Sequence, residues 1–212
     1  MSRAVLWDLD GTLADTAADI ALTVNELLDH LGLPRLAESR VRAFVGDGAR
    51  SLIDGCVAAA GGAPAPAHVA WFMTRYRAFP CREARVYPGM ADLVHGLDAP
   101  QAVVTNKPEA VSRALLAALG LGERLNVVIG GDTLPVRKPH PAPLLEAMAQ
   151  LGATTAVMIG DGPHDVHGAR AAGVPVIGVD WGIGRPDGAD VRVADAPALA
   201  EALARYGVGR YR

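Results

Sequence analysis

The stretch Leu6-Trp7-Asp8-Leu9-Asp10-Gly11-Thr12-Leu13-Ala14-Asp15-Thr16 ends a short apolar run with two aspartates one residue apart. Two carboxylates this close repel each other unless a cation or a shared proton intervenes. An apolar run that ends in both acids, followed by Gly and Thr, reads as a buried strand delivering them to its mouth. There a hard metal can sit beside a reactive anion. The same two residues could also simply cap a turn or a helix. The rest of the chain decides between these readings.

Outward from this strand, short runs rich in Val or Ile recur. They fall at Ala4–Asp8, Gln101–Asn106, Asn126–Ile129, Ala156–Gly160, Val174–Val179 and Asp190–Val193. Short continuous apolar runs mark parallel strands covered on both faces. Amphipathic patterns lie between them: Val111, Leu115 and Leu119; Leu144, Leu145, Met148 and Leu151; Leu199 with Leu203. This alternation predicts an α/β fold, a doubly wound, Rossmann-like parallel sheet. Ligands on such sheets bind beyond the carboxyl ends of the strands.

One stretch departs from the rhythm. Between Asp15 and Arg85 there is no convincing strand, only three apolar stripes at helical spacing. The first is Ile20, Val24, Leu27, Leu28 and Leu31; the second Ala49, Leu52, Ile53, Cys56 and Val57; the third Val69, Phe72, Met73 and Tyr76. A helical insert directly after the first strand would stand over that strand's mouth. The expected organisation is a core of residues 1–14 and 86–212 with a helical cap of residues 15–85.

Composition excludes several classes. A formal charge of −3, with no basic run, leaves no electrostatic footprint for nucleic acid. Cys56 and Cys81 are too few for a disulfide framework or a thiolate metal site, although two cysteines can still bridge. Only four apolar residues separate Met1-Ser2-Arg3 from Asp8, so no signal-peptide core is expected. No apolar stretch approaches the ~20 residues needed to cross a bilayer. A cytoplasmic protein without a membrane partner is expected; oligomeric state is not legible.

The candidate chemistry is phosphoryl transfer. A phosphate dianion repels water, but a carboxylate such as Asp8 can attack and split the reaction through an aspartyl-phosphate. Two unit charges about 4 Å apart at an effective dielectric near 20 repel by roughly 4 kcal/mol, about a thousandfold in rate. A divalent cation is therefore required, and Mg²⁺ suits an all-oxygen site. Asp10 lies on the same side of an extended strand. It can protonate the leaving oxygen and later deprotonate the hydrolytic water. A halide leaving group needs no such acid, so Asp10 argues for phosphate chemistry.

Three further segments supply partners. Thr105 and Asn106, at a strand end, can donate to a phosphoryl oxygen, or Thr105 can cap a turn. Lys138, before Pro139, can supply a point charge for phosphate, or be a solvated surface lysine. In Ile159-Gly160-Asp161-Gly162-Pro163-His164-Asp165, Asp161 can complete a metal site while Asp165 orients water or Lys138 from behind. Asp161, His164, Asp165 and His167 together could instead suggest zinc, but the histidines lie on one expected helix with no third nitrogen ligand. Gly182-Ile183-Gly184 lacks the third glycine of a dinucleotide fingerprint, and no phosphate loop of the Gly-x-x-x-x-Gly-Lys type occurs.

In this order, with a helical insert after the first, the four segments resemble the haloacid dehalogenase superfamily over residues 4 to about 194. Phe44-Val45-Gly46-Asp47-Gly48-Ala49-Arg50, Val86-Tyr87-Pro88-Gly89, Ile129-Gly130-Gly131-Asp132 and Gly168-Ala169-Arg170-Ala171-Ala172-Gly173 are similar to its phosphoglycolate phosphatase branch. The resemblance implies Asp8 as nucleophile and Mg²⁺ ligand, and Asp10 as acid/base whose backbone carbonyl binds the metal. It implies Asp161 as the third protein ligand, and Thr105, Asn106 and Lys138 as holders of the phosphoryl group. Gly162-Pro163-His164 departs from the branch, which commonly has a serine and no proline there. A small phosphomonoester substrate is implied, with 2-phosphoglycolate expected. A sugar phosphate such as N-acetylmuramate 6-phosphate, a β-phosphoglucomutase-like phosphomutase and a non-catalytic binding protein are the alternatives. For the carboxylate of phosphoglycolate, Arg50 is the expected cation. If Asp47 caps its helix, Arg50 lies in the first turn, where the dipole disfavours positive charge.

Overall fold

The computed structural model describes residues 3–209; residues 1–2 and 210–212 of the expected core lie outside the described residues. The first part of the chain forms β1 (Ala4–Trp7), β2 (Ala14–Asp15), α1 (Ala17–His30), α2 (Glu38–Arg42), α3 (Gly48–Ala59), α4 (Pro66–Ala78) and β3 (Arg85–Val86). The remainder forms α5 (Met90–Gly96), β4 (Gln101–Val104), α6 (Glu109–Ala118), β5 (Val127–Ile129), α7 (Ala142–Gln150), β6 (Ala156–Gly160), α8 (Pro163–Ala172), β7 (Val176–Val179), β8 (Val191–Val193) and α9 (Ala196–Arg205).

Six strands pair in the order β5-β4-β1-β6-β7-β8, every pair parallel. Alternate side chains of β1 serve two cores, as the period of a strand requires. Val5 and Trp7 pack with α5, α6 and α9 through Leu93, Leu115 and Leu199. Ala4 and Leu6 face the other layer, with Leu144 of α7 and Val166 of α8. The doubly wound α/β fold follows, with helices on both faces. The expected strands are all present, most of them shorter by one or two residues because their polar ends turn into loops.

From β1 the chain passes to β4 and β5 on one side, and later to β6, β7 and β8 on the other. That reversal of direction opens a crevice at the carboxyl end of β1, where ligands of open α/β sheets bind.

Between β2 and β3 stand α1 to α4, which share a separate apolar cluster of Val24, Leu28, Ile53, Val57, Phe72 and Tyr76. The three expected stripes correspond to α1, α3 and α4. The short α2 and the two-residue strands had no periodicity to announce them. Antiparallel pairing of Ala14 with Val86 and of Asp15 with Arg85 joins the two ends of this helical layer. Buried Asp19, on α1, accepts backbone N–H bonds from Arg82, Glu83 and Ala84 at 2.9, 2.8 and 3.0 Å. The carboxylate thereby satisfies the loop that leads into β3. Cys56 and Cys81 are both free thiols, so the possible bridge is absent.

Candidate active site

Strand ends converge on one cavity of about 260 Å³. Asp8 follows β1, Thr105 follows β4 and Asp161 follows β6, the three neighbouring strands at the crevice. Val45 to Ala49, Leu52, Phe72 and Tyr76 of the helical layer line the opposite side. Five aspartates (Asp8, Asp10, Asp47, Asp161 and Asp165) line the cavity with Lys107 and Lys138, a formal excess of three negative charges among these groups.

Lys138 is buried and fully engaged. Its Nζ donates to Asp8 Oδ1 at 3.0 Å, to Asp165 Oδ1 at 2.6 Å and to the Val104 carbonyl at 2.6 Å. Burial alone would lower its pKa, but Asp165 and Asp8 outweigh that and raise it. The reading of Lys138 as a solvated surface residue is thereby excluded. Asp165 lies in the first turn of α8, where Pro163 costs no helical bond. Its Oδ2 accepts the Gly162 N–H at 3.1 Å. Gly160 lacks a side chain for a reason: a Cβ there would lie 2.2 Å from Asp165 Cγ.

Asp161 is held by a feature that the sequence reading set aside. Its Oδ2 accepts from the backbone N–H groups of Ile183 and Gly184 at 2.8 and 2.7 Å, and its Oδ1 accepts from Thr12 at 3.1 Å. A Cβ on Gly182 would lie 2.3 Å from Asp161 Cβ. The Gly182-Ile183-Gly184 segment is thus a backbone cradle for this acid. Glycine pairing just after a strand was the available signal.

Carboxylate oxygens of Asp8, Asp161 and Asp165 lie within 4.8 Å of one another. Burial, followed by the charge of neighbouring acids, pushes Asp8 and Asp161 up to about 6, against the opposing pull of Lys138 on Asp8. A hard cation would relieve that cost, and an all-oxygen set is the donor chemistry that Mg²⁺ takes. Each of the three acids is also hydrogen-bonded: Asp8 by Lys138, Asp165 by Lys138 and Gly162, and Asp161 by Thr12, Ile183 and Gly184. Neither His164 nor His167 joins this group, which disfavours zinc. His164 Nε2 instead meets Asp47 Oδ1 at 2.7 Å.

Two of the expected substrate-holding side chains have other partners in the structure. Arg50 does not line the cavity; it is exposed and pairs with Asp54 at 3.5 Å, one turn along α3. Asp47 occupies the N-cap position without a side-chain capping bond. The Asn106 side chain was expected to donate to a phosphoryl oxygen, but Nδ2 is committed to the carbonyls of Gly46 and Lys138 at 2.9 and 3.0 Å. Its Oδ1 is buried without a hydrogen-bond partner. The Asp10 side chain lies apart from the three-acid group: Thr16 Oγ1 donates to its Oδ1 at 2.6 Å and Lys107 Nζ lies 2.9 Å away. Lys107 directly follows Asn106 in the sequence. It is buried, and also donates to Tyr76 Oη at 2.8 Å.

A family model for haloacid dehalogenase-like hydrolases matches residues 5–179, most of the chain. The chain belongs to this family. Among its relatives is a phosphoglycolate phosphatase of Xanthomonas campestris pv. campestris, 41% identical, with 95% of this chain and 96% of the relative covered. The crystal structure of a predicted phosphoglycolate phosphatase from Haemophilus somnus 129PT superposes with a TM-score of 0.87 at 27% identity, covering 95% of this chain and 97% of that one. CbbY from Rhodobacter sphaeroides, crystallised in complex with phosphate, aligns with a TM-score of 0.79 at 26% identity, covering 91% and 94%. As an enzyme, this haloacid dehalogenase-like hydrolase is a phosphatase. Among the described residues, no helix is long and apolar enough to cross a membrane.

Proposed function

We propose that the chain is a Mg²⁺-dependent phosphomonoester hydrolase working through an aspartyl-phosphate on Asp8, with 2-phosphoglycolate as substrate and the cytoplasm as its compartment. In this reading residues 15–85 are a cap that admits and selects the substrate, and residues 1–14 with 86–212 are the catalytic core. The observation that supports it most is the position of Asp8. Its carboxylate lies 3.0 Å from the Lys138 ammonium and within reach of Asp161, at the bottom of a cavity walled by the helical layer.

An Asp8 oxygen attacks phosphorus, and the bond from phosphorus to the ester oxygen breaks. Asp10 gives its proton to that departing oxygen, so a neutral alcohol leaves. Water then attacks the same phosphorus and loses its proton to Asp10, and the phosphorus–Asp8 bond breaks to regenerate the carboxylate. Lys138 and Thr105 line the cavity and would face the phosphoryl oxygens. Asp8, Asp161 and the Asp10 carbonyl would hold Mg²⁺, which supplies charge neutralisation and orientation for the phosphoryl group. Asp165 keeps Lys138 in place. With Arg50 outside the cavity, the substrate's carboxylate would meet the backbone at the N-terminal end of α3, around Gly46 to Ala49, where a helix favours an anion.

The relatives named phosphoglycolate phosphatase support the substrate. A panel of phosphomonoesters assayed with Mg²⁺, measuring released phosphate, tests it. The highest kcat/KM is expected for 2-phosphoglycolate. A sugar phosphate leading the panel would replace that substrate, and product formation without free phosphate would indicate a mutase.

A further inference from the structure

Lys107 is a buried ammonium for which the scheme above has no use. Its Nζ reaches both oxygens of Asp10, at 2.9 and 3.2 Å, and the hydroxyl of Tyr76 at 2.8 Å. Tyr76 belongs to α4, 3% exposed, while Lys107 follows β4 and is 6% exposed. The lysine therefore joins an acid at the mouth of the sheet to a phenol in the helical layer. Thr16, just before α1, also donates to Asp10 Oδ1 at 2.6 Å.

Burying an ammonium costs several kcal/mol unless opposite charge and hydrogen bonds offset it. Here Asp10 and the phenol do so together. Lys138 already serves Asp8 and Asp165, so Lys107 is not needed as a second counter-charge for the nucleophile. We infer that Lys107, seated by Tyr76, is a positioning residue that fixes where the Asp10 carboxyl points and ties that direction to the seating of α4 against the core. The inference rests on the proposed role of Asp10 as proton donor to the leaving oxygen. It adds a specificity consequence: the acid is in line only when α4 is seated, so a substrate that unseats α4 is turned over without acid assistance.

The test uses leaving-group chemistry. An alkyl phosphate needs a proton on its departing alkoxide, whereas p-nitrophenyl phosphate expels a stabilised phenolate that does not. Lys107→Met keeps length and bulk but removes the charge; Tyr76→Phe removes only the hydroxyl. For Lys107→Met, kcat/KM on 2-phosphoglycolate or another alkyl phosphate turned over by wild type is expected to fall about a hundredfold, the scale of general acid catalysis. On p-nitrophenyl phosphate the loss in kcat/KM, which reports only the steps up to departure of the alcohol and so excludes the later water attack that also uses Asp10, is expected to stay within about threefold. Tyr76→Phe should show the same pattern more weakly, and Lys107→Arg should recover part of the alkyl-phosphate rate. Equal losses of kcat/KM on both substrates, or no loss on the alkyl phosphate, overturn the assignment. Should Lys107→Met fail to fold, Tyr76→Phe alone decides by the same criterion. Asp8→Asn separates the two levels: if that variant remains active, the proposed function fails, whatever Lys107 does.

Discussion

Asp8 sits among groups that pull its charge both ways, with Lys138 drawing out the anion while burial, Asp165 and Asp10 oppose it. An Asp8→Asn variant keeps the shape and loses the nucleophile. Its turnover is expected to fall by at least about a thousandfold, with the circular dichroism spectrum unchanged; near-normal activity would refute the covalent scheme. Lys138→Met should cost stability as well as activity, because Asp8 and Asp165 are then left buried without their cation. A loss of about 3 kcal/mol or more in urea unfolding is the expected scale. At this scale the sequence was partly legible. Asp8, Asp10, Thr105, Asn106, Asp161 and Asp165 were singled out by their places after strands and Lys138 by the proline that follows it, and all seven line the cavity. Lys107 was passed over because its partners, Asp10 and Tyr76, are 97 and 31 positions away. Arg50 lies outside the cavity because only the fold decides which face of α3 turns inward. Asn106 lines the cavity, but the carbonyls that take its amide protons come from Gly46 and Lys138, which nothing local places beside it.

Among the elements, the loop after β7 carries a tight steric constraint. A methyl group on Gly182 would sit 2.3 Å from Asp161 Cβ, and one on Gly184 would sit 2.8 Å from the Asp161 carbonyl. Gly182→Ala should therefore displace Asp161 and raise the Mg²⁺ concentration needed for half-maximal activity by about tenfold, the lower end of the effect of disturbing ligand support. An unchanged Mg²⁺ requirement would detach that loop from the proposed metal site. Within the helical layer, Glu26 of α1 accepts from Arg82 and Arg75, both at 2.7 Å, and these bonds hold its carboxyl down at about 2. A depressed acid adds stability above its ordinary value near 4.5, and that stability is lost as pH falls towards 2. Glu26→Gln should thus lower Tm at pH 7, by about 1 kcal/mol in stability after allowing for partial exposure. The difference should close near pH 2. A constant difference across that range would show that packing, not charge, is at work. Helices α1, α3 and α4 were legible from their stripes, whereas α2 and the pair β2 and β3 are too short for any period to appear.

For the molecule as a whole, metal and proton compete at the same acids. With Asp8 and Asp161 raised from 3.8 to about 6, the metal-free fold binds more protons than the unfolded chain between those values. Its stability from these groups therefore declines as pH rises from about 4 to about 6. Saturating Mg²⁺ should offset that decline, adding about 2.7 kcal/mol at a hundred times its Kd. The Tm gain on adding Mg²⁺ is expected to be small at pH 5 and larger at pH 7.5. A gain independent of pH would place the cation elsewhere. The parallel sheet and its layers were legible because continuous apolar strands alternate with helical stripes. The strand order was not, since nothing local says that β1 lies between β4 and β6. One further consequence lies in the ladder of Ala14 with Val86. The backbone departs from the sheet layer and comes home at a single doorway, so everything beyond that doorway behaves as a graft. Exchanging the graft is expected to alter which molecules gain entry; Asp8 and Asp161 would keep their own scaffold, while Asp10 would lose the grip of Thr16 and, through Lys107, of Tyr76.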